Sequence, residues 1–180
     1  MKKNEISIAI NTLKLLEKNS WEKISLSNIL SKQKNITIKN KTDILIIINR
    51  YFDYLLKENL SSLEESSSKD MLFEVLMERL DILNNYRISI KKIINYFLSQ
   101  PHIFIKVAPS FIESIILIMK LSKINTNGIT GVPKIKIVFF LYLMIIYTWN
   151  NDQTKSLEKT MTTLDNYLNN LEKLIRFFND

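Results

Sequence analysis

The chain of 180 residues contains no cysteine, one histidine (His102), two glycines (Gly128 and Gly131), three prolines and two alanines. Without cysteine there is no disulfide framework, thiolate zinc site, iron–sulfur cluster or cysteine nucleophile. A single histidine cannot supply a metal site that needs two from one chain. Two glycines cannot build the clustered loop through which a backbone approaches phosphate. The scarcity of glycine and proline also removes the usual chemistry of tight hairpins. Most routes to catalysis are thereby closed. The chain reads as a binding protein, with no catalytic residue, no metal and no cofactor.

What is present is an ordinary globular composition, 46% apolar and 24% charged, enough for one domain core. Isoleucine numbers 29, lysine 21 and asparagine 19. AT-rich codons produce that bias without selection on function, so the net charge of +7 is weak evidence for a nucleic-acid partner. The distribution of charge says more. Residues 1–57 sum to +6, 58–84 to −5, 85–136 to +7 and 137–180 to −1. Glu5, Lys14, Glu17 and Lys18 interrupt any signal-like apolar core in Met1–Ser20. The longest apolar run, Ile137–Tyr147, has eleven residues, and the uncharged stretch reaches Asn151. A span needs about 20, so this run is expected to be a deeply buried helix.

Apolar periodicity is helical almost throughout. Ile6, Ala9, Ile10, Leu13 and Leu16 mark a first helix ending near Lys18. Ser25 or Ser27 can cap a short second one holding Leu26, Ile29 and Leu30. Thr42 is expected to cap a long helix with a stripe from Ile44 to Leu56, and Asp43 in its first turn suits the helix dipole. After a serine-rich loop come helices over Asp70–Asn84 and Tyr86–Ser99, with Pro101 as a stop. Pro109 then opens a helix to Leu121, Pro133 one to about Asn150, and Thr154 or Ser156 one to Phe178. Ile36-Thr37-Ile38 alternates, but three residues do not make a sheet. The expectation is an all-α chain of about nine helices.

The segments AINTLKLLEKNSWEKISLSNIL and KNKTDILIIINRYFDYLL resemble the head of the TetR family. The resemblance implies a helix-turn-helix head over 1–57, followed by a ligand-binding and dimerising body over 58–180. Here the recognition helix would have to come from SKQKNITIKNK, which has no arginine, aromatic residue or glycine. The helix-turn-helix is therefore shortened and degenerate. In the body, DMLFEVLMERLDIL, FLSQP and YTWNNDQTKSLEKTMTTLDNYL resemble the ubiquinone-biosynthesis accessory (COQ-nine-like) family. The matching positions are Trp149, Asp152, Thr160, Leu164 and Asp165. That resemblance implies a TetR-like, non-catalytic lipid or isoprenoid-quinone binder. It would be a homodimer, cytoplasmic or peripheral at the inner membrane face, and would serve a quinone-pathway hydroxylase. The alternative is a DNA-binding transcriptional regulator with an apolar pocket.

Individual residues divide between these readings. Lys23, Lys32, Lys34, Lys39 and Lys41, with no acid between Glu22 and Asp43, form either a phosphate track or a solvated loop. Arginine, the better base reader, is absent there. Two stretches are apolar nearly all round, 110–121 and 134–150, and make either a solid core or the walls of a cavity. For the cavity the lining is Ile112, Glu113, Ile116, Met119, Phe139, Tyr142, Leu143, Ile146 and Trp149. Glu113 and Tyr142 are its polar members. Asp152 is expected to cap the last helix, His102 to sit in a loop, and Glu74, Glu78 and Asp81 to form a solvated acidic face.

Overall fold

In a computed structural model, residues 1–31, 38, 40–60, 66–154 and 156–179 are described, the side chains of 172–179 excepted. The described residues form eight α-helices and no strand: α1 Lys3–Lys18, α2 Leu26–Leu30, α3 Lys41–Asn59, α4 Ser68–Asn84, α5 Arg87–Ser99, α6 Pro101–Leu121, α7 Gly131–Asn151 and α8 Glu158–Asn179. The all-α expectation holds. A ninth helix would have to come from residues 31–41, most of which lie outside the described set.

Two compact units contain these helices. One is Met1–Glu58 with Ile82–Ser114, the other Asn59–Asp81 with Ile115–Asp180. No single cut produces them, because Ile82–Ser114 packs with the head segment despite lying far along the chain.

In the first unit, α1 packs against α5 and α2. The Ser89 hydroxyl donates to the Leu13 carbonyl at 2.6 Å. Lys92 Nζ donates to the carbonyls of Leu16, Glu17 and Asn19, at 2.7, 3.0 and 3.2 Å. A cation at the end of α1 meets both its orphan carbonyls and the negative end of its dipole. Asn11 Nδ2 donates to Ile29 O at 2.8 Å and fixes α2, which Ser25 caps by accepting from the Asn28 amide. Ile8, Leu13, Leu16, Ile29, Ile44 and Ile48 close the core.

The starts of α4, α5, α7 and α8 differ from the sequence expectation by one to four residues, and those of α3 and α6 differ in the role given to Thr42 and Pro109. Helix α3 begins at Lys41, so Thr42 lies inside its first turn rather than capping it. Helix α6 begins at Pro101, and Pro109 sits within it. Pro101 fits there because a first-turn residue has no intrahelical amide partner to lose. Pro109 removes the bond to the carbonyl of Ile105, a residue that is itself exposed. One missing bond on a solvated side does not end a 21-residue helix whose opposite side is packed.

In the second unit α7 packs along α8. The expectation of a deeply buried α7 is only half met. Val138, Leu141, Tyr142, Ile145 and Trp149 are buried, whereas Ile137, Phe140, Met144 and Tyr147 are exposed. Helices α6 and α7 are each long and apolar enough to cross a membrane. Each nevertheless commits one face to packing inside its unit or units.

The turn into α8 rests on Asp152, whose side chain is buried. Its Oδ1 accepts from the amide and hydroxyl of Thr154, at 3.0 and 2.7 Å. Its Oδ2 accepts from the amide and hydroxyl of Thr160, both at 2.8 Å. Thr160 stands in the first turn of α8, so Asp152 does cap that helix. Leu157 immediately precedes α8 with φ of 53°, a left-handed conformation that costs a residue with a Cβ about 1–2 kcal/mol. Burial by itself would raise the Asp152 carboxyl, but hydrogen bonds from Thr154 and Thr160 outweigh it and hold it well below 3.8. A depressed carboxyl stabilises the fold above its unfolded value and loses that contribution as pH falls below it. Asp152→Ala is expected to cost about 2–4 kcal/mol by urea denaturation. It should also flatten the loss of stability below about pH 4, a difference that acid titration followed by circular dichroism will measure.

Candidate functional site

The nine pocket residues read from sequence are divided between the two units. Ile112 and Glu113 belong to the first unit, and the other seven to the second. Glu113 is exposed, and its carboxylate pairs with Arg50 of α3 at 3.2 Å. That partner accounts for the charge without a ligand. Within the second unit, Met119, Tyr142 and Trp149 are buried, and Ile116, Phe139, Leu143 and Ile146 are half-buried. Phe139, Tyr142, Ile146 and Trp149 recur at three- and four-residue steps and share one side of α7. The opposite side carries the exposed stripe Ile137, Phe140, Met144 and Tyr147, with Phe140 62% and Tyr147 73% exposed. Helix α7 is thus apolar on both sides, and its last acid-free residue is Asn151.

A second constellation, invisible in the sequence reading, joins α3 to the first half of α6. Asn49, buried in the middle of the α3 stripe, donates from Nδ2 to the Ser110 carbonyl at 3.0 Å and to Ser114 Oγ at 2.8 Å. Ser114 in turn donates to Asp53 Oδ2 at 2.7 Å. The Arg50–Glu113 pair lies on the neighbouring positions. The signal was there: one asparagine in an apolar stripe, and two serines four residues apart on an apolar helix. Buried polar groups of this kind must find partners, and here they find one another.

The lysines proposed as phosphate contacts separate as well. Lys32, Lys34 and Lys39 lie outside the described residues. Lys23 is exposed. Lys41 is half-buried, with Nζ 4.6 Å from the centre of the Trp21 ring. It also donates to the Trp21 carbonyl. Burial lowers its pKa, with Glu22 opposing the shift. Lys41 is therefore a strut between the start of α3 and the Trp21 turn. Trp21 is held from another side by Tyr96 of α5, ring centre to ring centre 5.9 Å.

His102 is exposed in the first turn of α6 rather than in a loop. Of the three carboxylates read as an acidic face, Glu74 and Asp81 are exposed and Glu78 is half-buried, accepting from Asn59 Nδ2 at 2.6 Å. Burial, with Glu78 adding to it, raises the Asp81 carboxyl. Among the described residues, no group of three acidic or histidine side chains is placed to hold a metal ion.

No family model and no curated protein matches the sequence. The fold does have a counterpart among solved structures, the crystal structure of the TetR transcriptional regulator from Nitrosomonas europaea. The TM-score is 0.72, over 93% of this chain and 97% of that one, at 16% identity. The chain has a TetR-like helical fold. At that identity the likeness concerns the fold and not the ligand.

Proposed function

We propose that this protein is a non-catalytic, homodimeric binder of a long apolar ligand. The ligand class is a lipid or isoprenoid quinone, and the setting is ubiquinone biosynthesis, where the protein serves a quinone-pathway hydroxylase. It works in the cytoplasm or against the inner face of the membrane. The observation that carries the reading is α7, which is lined with large apolar side chains on both sides. One side suits a ligand: Phe139, Tyr142, Ile146 and Trp149, with Ile116 and Met119 of α6 in the same unit. Apolar lining with a single hydroxyl is the usual make-up of a lipid site, and methionine and aromatics adapt to irregular chains. Each methylene withdrawn from water contributes about 0.8 kcal/mol, so the tail would set affinity and Tyr142 would orient the head.

The other side suits a second copy. Ile137, Phe140, Met144 and Tyr147 form an uncharged stripe along α7. A two-fold pairing through α7 and α8 would bury it. Light scattering at micromolar concentration is expected to give the dimer mass, and Phe140→Glu to give the monomer.

The ligand is tested by filling its site. Ile116→Trp is expected to abolish co-purification of lipid in native mass spectrometry, with helix content unchanged in circular dichroism. If the substitution unfolds the protein instead, the helices form a solid core and overpacking is the cause.

A second reading, a DNA-binding regulator, draws support from the fold shared with a protein described as a transcriptional regulator. The head argues against sequence readout, because 31–41 lacks arginine and Lys41 is engaged with Trp21. Duplex binding is expected to be weak and to fall steeply between low and physiological salt, through counterion release. A footprint upstream of the protein's own gene that survives physiological salt would promote the regulator reading.

A further inference from the structure

On the first unit, α5 and the start of α6 turn apolar side chains outward. Leu98 is 73% exposed, Ile105 70% and Ile112 40%. Along α6, Pro101, Ile105, Pro109 and Ile112 follow at three- and four-residue steps, so they lie on one side, and all four are exposed. Behind them Phe104 and Phe111 are half-buried. Their rings pack on Phe97 of α5 at 5.6 and 6.2 Å, and on each other at 5.8 Å. The aromatic cluster joins α5 to α6 beneath the ridge.

Lysines border this ridge. Lys106 is exposed and follows directly on Ile105. Lys91 precedes Leu98 by seven residues, two turns along the same side of α5. Within Ile82–Ser114 of this unit stand four basic side chains, Arg87, Lys91, Lys92 and Lys106, and one acid, Glu113. That acid is already paired with Arg50.

We propose that the Leu98–Ile105–Ile112 ridge docks the protein on an anionic lipid surface. The three aliphatic tips enter the boundary between headgroups and acyl chains, and Lys91 and Lys106 face the phosphates. Separate tips on two successive helices suit shallow insertion, and a flank whose acid is paired matches the negative potential of an anionic leaflet. A protein partner is less well served, since the ridge offers protruding tips instead of a groove for another chain's side chains. This deepens the membrane-peripheral part of the proposed function and is independent of what the second unit binds.

The test is flotation of the full chain with vesicles of phosphatidylcholine and phosphatidylglycerol in equal parts, against phosphatidylcholine alone. Flotation is expected with the anionic vesicles only, weakening as salt is raised. The double substitution Leu98→Glu with Ile105→Glu should reduce the bound fraction on the order of tenfold, with the circular dichroism spectrum unchanged. Ile105→Trp should retain binding, and its added fluorescence should shift to the blue on anionic vesicles. The proposal is overturned if wild type floats with neither vesicle or equally with both, or if the double variant floats as well as wild type. It is also overturned if the double variant turns a dimer into a monomer, which would make the ridge an interface between copies. Should flotation fail while lipid still co-purifies, the ligand reading stands and the docking surface alone is lost.

Discussion

Helices α6 and α7 carry more apolar side chains than one packed side can cover, and most of the exposed large apolar side chains among the described residues belong to that surplus. A helix that spends one side on its core has an arc of roughly a third of its circumference to bury. Helix α7 fills that arc with Val138, Leu141, Tyr142, Ile145 and Trp149 and still presents Ile137, Phe140, Met144 and Tyr147 to water. Exposed apolar surface forgoes about 25 cal/mol per Å². A contiguous stripe of it signals something that covers it. Length and composition would also let both helices cross a membrane. The difference between a spanning helix and these is the packed side, shared with a TetR-like bundle.

The head illustrates the opposite economy, with polar groups consumed by structure. Lys41 looks like a free cation in sequence, yet its ammonium lies over the Trp21 ring and donates a hydrogen bond to the Trp21 carbonyl. Lys92 closes α1 by capping three carbonyls. Asn49, Asp53, Ser110 and Ser114 satisfy one another between α3 and α6. Such a network fixes the register of two helices more sharply than apolar contact, because a shift by one turn would leave several buried groups without partners. The charge counted for a phosphate surface is correspondingly smaller than the sequence total suggests.

The helical class, and most helix boundaries, were legible because apolar spacing and capping serines are local signals. Asp152 could be assigned as a cap for that reason, and the cap of α2 narrowed to Ser25 or Ser27, of which Ser25 is the one that accepts. Pro109 was misread because proline usually marks a first turn, and only tertiary packing keeps a helix running through it. The placement of Glu113 depended on Arg50, 63 residues away, and no local pattern announces such a partner. Asn49 and Ser114 show by their place in apolar stripes that they need partners, but not which ones. Apolar residues at helical spacing likewise do not say which side of α7 faces the core. Both sides read alike until packing chooses between them.

The two exposed apolar stretches differ in what surrounds them, and the difference bears on their occupants. The α7 stripe runs from Ile137 to Tyr147 through a segment with no charged residue, its nearest cations being Lys134 and Lys136 before it. A two-fold interface presses the same patch of each copy against the other, so an uncharged stripe can pair with itself without repulsion. The ridge on α5 and α6 has cations beside it, Lys91 and Lys106, and its one acid is already paired. Pairing that ridge with itself would bring like charges together in a desolvated contact, which costs free energy. An anionic surface turns the same charges into attraction. Two exposed apolar sets are thus separated in role by the charges beside them.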